Sequence, residues 1–233
     1  MTRIGLALFS VRDELDRDLL GTLRAVAEIG YEGVELFDLH GRSAPELRVA
    51  VDRLGLATTS RHASLEAIER ELPALADEAR ILGWRRLVLP WLDPATLDDA
   101  AWPARLARVA RAASDLGLEL GYHNHDAEIR TGFLERLPPD VFIELDLGWA
   151  WWAGADPVAL LTRFDGRVPL VHVKDVRDRA GHSFVPVGDG AVDYEHVVPA
   201  AVEAGADWLL VEQDECQGSA LAAAARSFLY LAN

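Results

Sequence analysis

A (β/α)8 barrel, the TIM-barrel architecture of the α/β class, is what these 233 residues predict. Three observations carry that expectation. Short apolar runs alternate with amphipathic segments at a repeat of roughly 25 to 30 residues. Glycine closes one helical segment after another, at Gly30, Gly55, Gly83 and Gly117. Polar residues stand at the carboxyl ends of several apolar runs, which is where barrel enzymes build their sites. A doubly wound open sheet is the alternative, but no glycine-rich phosphate fingerprint of the GxGxxG or GxxxxGK type follows any strand. Nothing rich in Pro, Gly or Ser divides the chain, so residues 1–233 are expected to form a single domain.

The elements follow in order. Arg3–Phe9 reads as the first strand, and the helical spacing of Leu19, Leu23, Val26 and Ala27 predicts a helix from Asp18 to Ile29. Tyr31–Phe37 is the second strand. Ser43, followed by Pro45 and Glu46, supplies an N-cap, an early proline and a capping-box glutamate, opening a helix that ends at Leu54–Gly55. Strand three spans Leu56–Ala63, helix three Leu65–Leu82, strand four Trp84–Pro90 and helix four Asp98–Leu116. Leu118–His125 is strand five, and a weaker helical segment at Gly132–Leu137 leads to strand six at Val141–Gly148. Helix six covers Asp156–Phe164 and strand seven Val168–Asp175. After a loop from Gly181 to Gly190, Tyr194–Ala204 forms helix seven, Asp207–Glu212 strand eight and Ser219–Leu231 the closing helix.

Composition narrows the function classes. Half the residues are hydrophobic (50%), enough for a sizeable core, yet no stretch is long and apolar enough to span a bilayer. The N-terminus lacks the apolar region and small-residue cleavage site of a signal peptide, so the expected location is cytoplasmic. Lys plus Arg number 23 against 38 Asp plus Glu, and a net charge of −15 repels phosphate backbones, which argues against nucleic acid as a partner. Cys216, the one cysteine, excludes internal disulfides and CxxC motifs and reads as a packing residue.

Buried parallel strands read as continuous Val/Ile/Leu runs, so charged groups at their ends call for an explanation other than folding. Leu120–Asp126 ends in His123 and His125, which share one face of a strand because side chains at i and i+2 point the same way. Glu144 and Asp146 share a face in strand six, His172 and Lys174 in strand seven, and Glu212 ends strand eight. Each alone reads as readily as a hydrogen-bonded buried polar group. Four of them at equivalent strand ends, His123, Asp146, His172 and Glu212, make a ligand set suited to a divalent ion such as Mn²⁺, Co²⁺, Zn²⁺ or Mg²⁺. Lys174, the single lysine, suits either a Schiff-base nucleophile or a charged substrate-binding group, and Asp175 with a nearby ion favours the second. Glu35 and His62, at the ends of strands two and three, are candidate substrate contacts, and the aromatic run Trp149–Trp152 offers a face to a sugar ring.

The segments Leu8–Glu14, Ile29–Leu36, Leu120–Asp126, Glu144–Trp149, Gly154–Pro157, Val171–Asp175, Val187–Gly190 and Val211–Glu215 together resemble the xylose isomerase-like TIM-barrel superfamily, in the sugar phosphate isomerase/epimerase group. That resemblance implies a divalent metal held by a strand-five carboxylate, a strand-six aspartate, a strand-seven histidine and a strand-eight glutamate. Asp146, His172 and Glu212 match; His123 stands where sugar epimerases have a glutamate that is both ligand and base, and Trp149 where many have a substrate-binding histidine. Ala7 stands where relatives commonly carry glutamine. One of the two symmetric bases of a 3-epimerase is therefore missing.

The leading expectation is a metal-dependent isomerase or epimerase of a small sugar, sugar derivative or cyclitol, working through an enediolate. Glu212 is the expected proton-transfer base, with His125 or Glu128 on the other side and Lys174 as a further catalytic candidate. A lyase or hydratase acting on a keto-sugar or keto-glycoside at the same site is the second reading, and a non-catalytic sugar-binding barrel the third. The partner expected is a small-molecule sugar, in a chain free to form homo-oligomers.

Overall fold

The computed structural model describes residues 2–181 and 183–233; Met1 and His182, the latter inside the expected Gly181–Gly190 loop, lie outside the described residues. Eight parallel strands close into a barrel: β1 (Arg3–Ala7), β2 (Gly33–Leu36), β3 (Ala57–His62), β4 (Arg86–Leu89), β5 (Glu119–His123), β6 (Phe142–Asp146), β7 (Leu170–Val173) and β10 (Trp208–Val211). Closure comes from β1, which pairs with both β2 and β10. An antiparallel pair, β8 (Asp175–Val176) with β9 (Phe184–Val185), occupies the connection after β7. The helices are α1 (Arg12–Arg17), α2 (Leu19–Ile29), α3 (Ala44–Leu54), α4 (Leu65–Leu82), α5 (Trp102–Asp115), α6 (Asp126–Thr131), α7 (Leu147–Trp152), α8 (Pro157–Arg163), α9 (Tyr194–Glu203) and α10 (Ala220–Leu231). No helix among the described residues is long and apolar enough to cross a membrane.

Pleat parity explains both the core and the site. Ile143 and Leu145 on β6, Val171 and Val173 on β7, and Leu209 and Val211 on β10 are buried in the large core shared with the helices. Fully burying such a side chain stabilises the fold by roughly 1.5–3 kcal/mol. Residues of the opposite parity, Leu170, Trp208 and Leu210, form a separate apolar cluster with Val88, against which Phe142 packs. Gly121 makes room there, since a Cβ at that position would lie 2.3 Å from the Phe142 ring. Along that inner parity the character changes toward the carboxyl ends: Phe142 is followed by Glu144 and Asp146, Leu170 by His172 and Lys174, and Leu210 by Glu212. The barrel floor is apolar and its upper layers are charged.

Element boundaries differ from the sequence expectation where the site is built. Strand five ends at His123, and His125 is instead the residue preceding α6. Helical structure begins at Asp126 and α6 ends at Thr131, capped by Gly132, and the helix expected over Gly132–Leu137 is replaced by a 3₁₀ turn at Leu134–Arg136. Strand six stops at Asp146 because that side chain caps α7, which takes up the aromatic run. Strand seven stops at Val173, leaving Lys174 just beyond it. The helix expected from Asp98 starts at Trp102, after a turn at Pro94–Thr96 whose last carbonyl accepts from Trp102 Nε1 at 2.7 Å.

Candidate active site

β5, β6, β7 and β10 deliver His123, Asp146, His172 and Glu212 to one end of the barrel, with one donor atom of each lying within 4.8 Å of those of the others. All four side chains are buried. Register sets their level, since Asp146 is the direct partner of His172 across β6 and β7. His172 turns Nδ1 toward Glu212 Oε2 at 3.0 Å and Nε2 toward Glu35 Oε2 at 2.9 Å. An imidazole tied on its far side to a carboxylate is the arrangement that fixes a metal-ligating ring.

Asp146 is held from behind. Its Oδ1 accepts from the Trp149 N–H at 2.7 Å, its own N–H donates to Asn124 Oδ1 at 3.0 Å, and its carbonyl accepts from Asn124 Nδ2 at 3.3 Å. Among the described residues, Asp146 Oδ2 and His123 Nδ1 are buried with no hydrogen bond, and their nearest charged neighbours are Lys174 Nζ at 3.1 Å and Glu144 Oε2 at 3.3 Å. Two imidazole nitrogens and two carboxylate oxygens gathered within 4.8 Å of one another are a donor set that a divalent cation would take, so the residues present fit such an ion. Burial pushes the Asp146 carboxyl up to about 6 against the pull of Lys174. Burial, with His172 and His125 adding to it, holds His123 well below its ordinary value, which keeps a lone pair available for coordination. At Glu212 burial is overcome by Lys174 and His172, and the carboxyl falls well below its usual range.

One pleat deeper, two acids and two imidazoles alternate in a ring. His62 Nε2 lies 2.7 Å from Glu144 Oε2 and 3.1 Å from Glu35 Oε2, and His172 Nε2 lies 2.9 Å from Glu35 Oε2 and 3.3 Å from Glu144 Oε2. Ser60 Oγ donates to Glu35 Oε1 at 2.7 Å. Burial alone would lower His62, but Glu35 and Glu144 carry it up to about 10. Burial and the charge of Glu35 push Glu144 up to about 7. Glu35, expected as a substrate contact, is buried behind His172, whereas His62 reaches the cavity. Sequence reasoning places Glu144 on the face of Asp146 and assigns it no role; that spacing of two was the available signal.

A cavity of about 400 Å³ lies over the cluster, with His62, His123, His125, Glu212 and Asp214 in its lining and Phe9, Phe37 and Trp91 as its aromatic wall. Lys174 Nζ is 2.7 Å from Glu212 Oε2, 3.1 Å from Asp146 Oδ2, and 3.0 and 2.9 Å from the two oxygens of Asp214. Burial opposes its charge, but the three carboxylates overcome burial and raise Lys174 above the ordinary lysine range. Three carboxylates within 3.1 Å favour the ammonium form, which has no lone pair for a Schiff base, so the geometry supports the charged role. Asp214 escaped the sequence reading although it follows Glu212 by two residues, the same spacing that marks the other pairs.

His125 has its ring 5.1 Å from that of His123 and 5.2 Å from that of Trp149. Burial, then the charge of Lys174, lowers it to about 4, so the imidazole is neutral near pH 7. Glu128 is turned away from the cavity: Oε1 accepts from Tyr122 OH at 2.7 Å and Oε2 from the His125 N–H at 3.0 Å. It fixes the turn that presents His125, and substrate contact is not where the structure places it. Trp149 stacks on Trp152 at 5.4 Å and carries Lys174 Nζ 5.2 Å over its ring. Gly148 lets α7 press against the backbone just beyond β7, because a Cβ there would lie 2.2 Å from the Lys174 carbonyl oxygen.

Residues 23–232 match the xylose isomerase-like TIM barrel family, and the chain belongs to it. Within reach of that family, the chain is 27% identical over 245 residues to inosose dehydratase of Geobacillus kaustophilus, covering 83% of this chain and 79% of that protein. It is also 27% identical over 251 residues to the rhizopine catabolism protein MocC of Rhizobium meliloti, covering 86% of this chain and 76% of that one. Among solved structures, a sugar phosphate isomerase/epimerase from Parabacteroides distasonis aligns with a TM-score of 0.84 at 21% identity, covering 100% of this chain and 98% of that one. At that identity the structural likeness establishes the shared barrel.

Proposed function

We propose that this chain is a metal-dependent enzyme that eliminates water from a small hydroxylated ketone, a keto-sugar or keto-cyclitol. The observation that supports this reading is the chemical inequality of the groups facing the cavity: Glu212 and His125 stand there in place of two matched bases, and the second carboxylate in the lining, Asp214, has both oxygens taken by Lys174. An inosose dehydratase that is 27% identical over 245 residues supports the same reading. Isomerisation or epimerisation through an enediolate is the second reading, because the first proton transfer is common to both.

A divalent ion held by His123, Asp146, His172 and Glu212 would supply Lewis-acid polarisation of the substrate carbonyl. Glu212 removes the proton from the carbon beside that carbonyl, and the released electron pair forms the enolate. The charged Lys174 amine, 2.7 Å from Glu212 Oε2, stabilises the negative charge that develops next to it. The enolate then expels the hydroxyl on the next carbon, which leaves as water after taking the same proton back from Glu212, with the His125 imidazole orienting it. In the isomerase reading Glu212 delivers its proton to the former carbonyl carbon, while the hydroxyl proton of the first carbon passes to the neighbouring oxygen. The two readings part after the first proton transfer, one breaking a carbon–oxygen bond and the other not.

Mass analysis of products from keto-sugars and inososes incubated with Mn²⁺-loaded protein tests the proposal. A product lighter by one water is expected. A product of unchanged mass would transfer the assignment to isomerisation, and binding without any product would leave a sugar-binding barrel.

A further inference from the structure

Lys174 contacts two kinds of carboxylate. Asp146 Oδ2 at 3.1 Å and Glu212 Oε2 at 2.7 Å belong to the candidate ligand set, while Asp214, which grips the amine with both oxygens at 3.0 and 2.9 Å, belongs neither to that set nor to the other group of donor atoms that could hold an ion, His62, His123, Glu144 and His172. The ammonium therefore bears on the very oxygens that a divalent cation would use. A metal–oxygen bond is about 2.0–2.2 Å long, so a cation on these two carboxylates and the ammonium stand in direct electrostatic competition.

Lys174 is also enclosed. Its side chain is fully buried, packed with Nζ 5.2 Å over the Trp149 ring and 5.5 Å over the Phe184 ring, and the helix beginning at Leu147 presses on its backbone at Gly148. The amine has no exposure to solvent. Once Asp146 and Glu212 commit their charge to an ion, Asp214 is the carboxylate left to balance the lysine.

We infer that Asp214 is a positioning residue that holds the Lys174 ammonium at the edge of the ligand set and thereby sets the affinity of the site for its divalent ion. This rests on the metal reading above and concerns a residue that the ligand set does not include. Asp214 acts through Lys174 and touches no ion itself. With Asp214 neutral, the ammonium has only the ligand carboxylates for partners, and ion binding must either displace it or leave it without a counter-charge in a buried site.

The test is Mn²⁺ binding to the full-length protein, stripped of metal with chelator and titrated by calorimetry. Asp214→Asn is expected to weaken Mn²⁺ binding by about 10-fold or more, the range found when partners of metal ligands are removed, with an unchanged circular dichroism spectrum. Asp214→Glu should restore binding. In a Lys174→Gln background, adding Asp214→Asn should change affinity by less than about twofold, because an Asp214 that acts through Lys174 has nothing left to act on; such non-additivity marks a coupled pair. Equal weakening in both backgrounds would show that Asp214 acts directly on the ion and would overturn the inference, as would an Asp214→Asn protein that binds Mn²⁺ like wild type. If Lys174→Gln does not fold, the Asn and Glu pair at position 214 still decides: failure of Glu to restore what Asn loses counts against the inference. Wild-type protein that binds no Mn²⁺ would remove the metal reading and the inference with it, whereas wild-type binding with an indifferent Asp214→Asn removes the inference alone.

Discussion

Replacing Asn124 with alanine should separate the scaffold of the site from its chemistry. Asn124 is 0% exposed, accepts from the Asp146 N–H at 3.0 Å and donates to the Asp146 carbonyl at 3.3 Å. Alanine would leave both backbone groups of Asp146 buried without these partners. Each orphaned group costs about 1–3 kcal/mol, so the sum is about 2–6 kcal/mol. For a chain of this size each 1 kcal/mol lowers the melting temperature by roughly 2–4 °C, which predicts a fall of roughly 4–24 °C. Domains of this kind have about 5–15 kcal/mol to lose, so the variant should still fold at room temperature. Because Asp146 would no longer be held at the level of His172, Mn²⁺ affinity should also fall by about 10-fold or more. Thermal melts followed by circular dichroism, with parallel Mn²⁺ titrations, measure both effects. A variant melting within about 2 °C of wild type and binding Mn²⁺ equally well would refute the view that this bridge positions Asp146.

Three other outcomes follow from the same geometry. Glu212→Gln keeps the size and one ligating oxygen but cannot accept a proton, so turnover should drop on the order of 10²-fold; wild-type turnover in that variant would make His125 the base. Gly148→Ala would put a Cβ 2.2 Å from the Lys174 carbonyl oxygen, and the forced shift should cost about 1–3 kcal/mol, read as a lowered denaturation midpoint; an unchanged midpoint would mean that α7 is free to move. The metal-free protein should lose stability as pH rises from neutrality toward 10. His62 is raised from 6.5 to about 10, so its contribution is complete below the first value and lost as pH climbs through the second. Glu144, raised from 4.5 to about 7, acts with the same sign over a lower window. A melting temperature that increased across this range would contradict the charge assignment of the buried ring.

Much of the barrel was legible because the helices punctuate themselves. The capping box of Ser43 and Glu46 and the glycine after Leu54 mark α3 to the residue, and both are local signals. The four donors His123, Asp146, His172 and Glu212 were legible because a charged residue on the inner parity of a parallel strand has few reasons to be there. What escaped was set by tertiary contacts. His125 reads as strand by alternation, yet its N–H is taken by Glu128 and the chain turns into α6. Glu35 reads as a rim contact, but its burial behind His172 depends on the curvature of a barrel that no local pattern reveals. Asp214 became meaningful only when the fold placed both of its oxygens on Lys174, 40 residues away in the chain.

Metal occupancy in wild type beside Asp146→Ala and His172→Ala tests the central claim most directly. Protein loaded with Mn²⁺, passed through a desalting column and analysed for metal should carry about one ion per chain in wild type and far less in either variant. Both variants should keep the barrel, because these side chains lie above the apolar layer of Leu170, Trp208 and Leu210. Full occupancy in both variants, or none in wild type, would contradict the assignment of this cluster as the metal site.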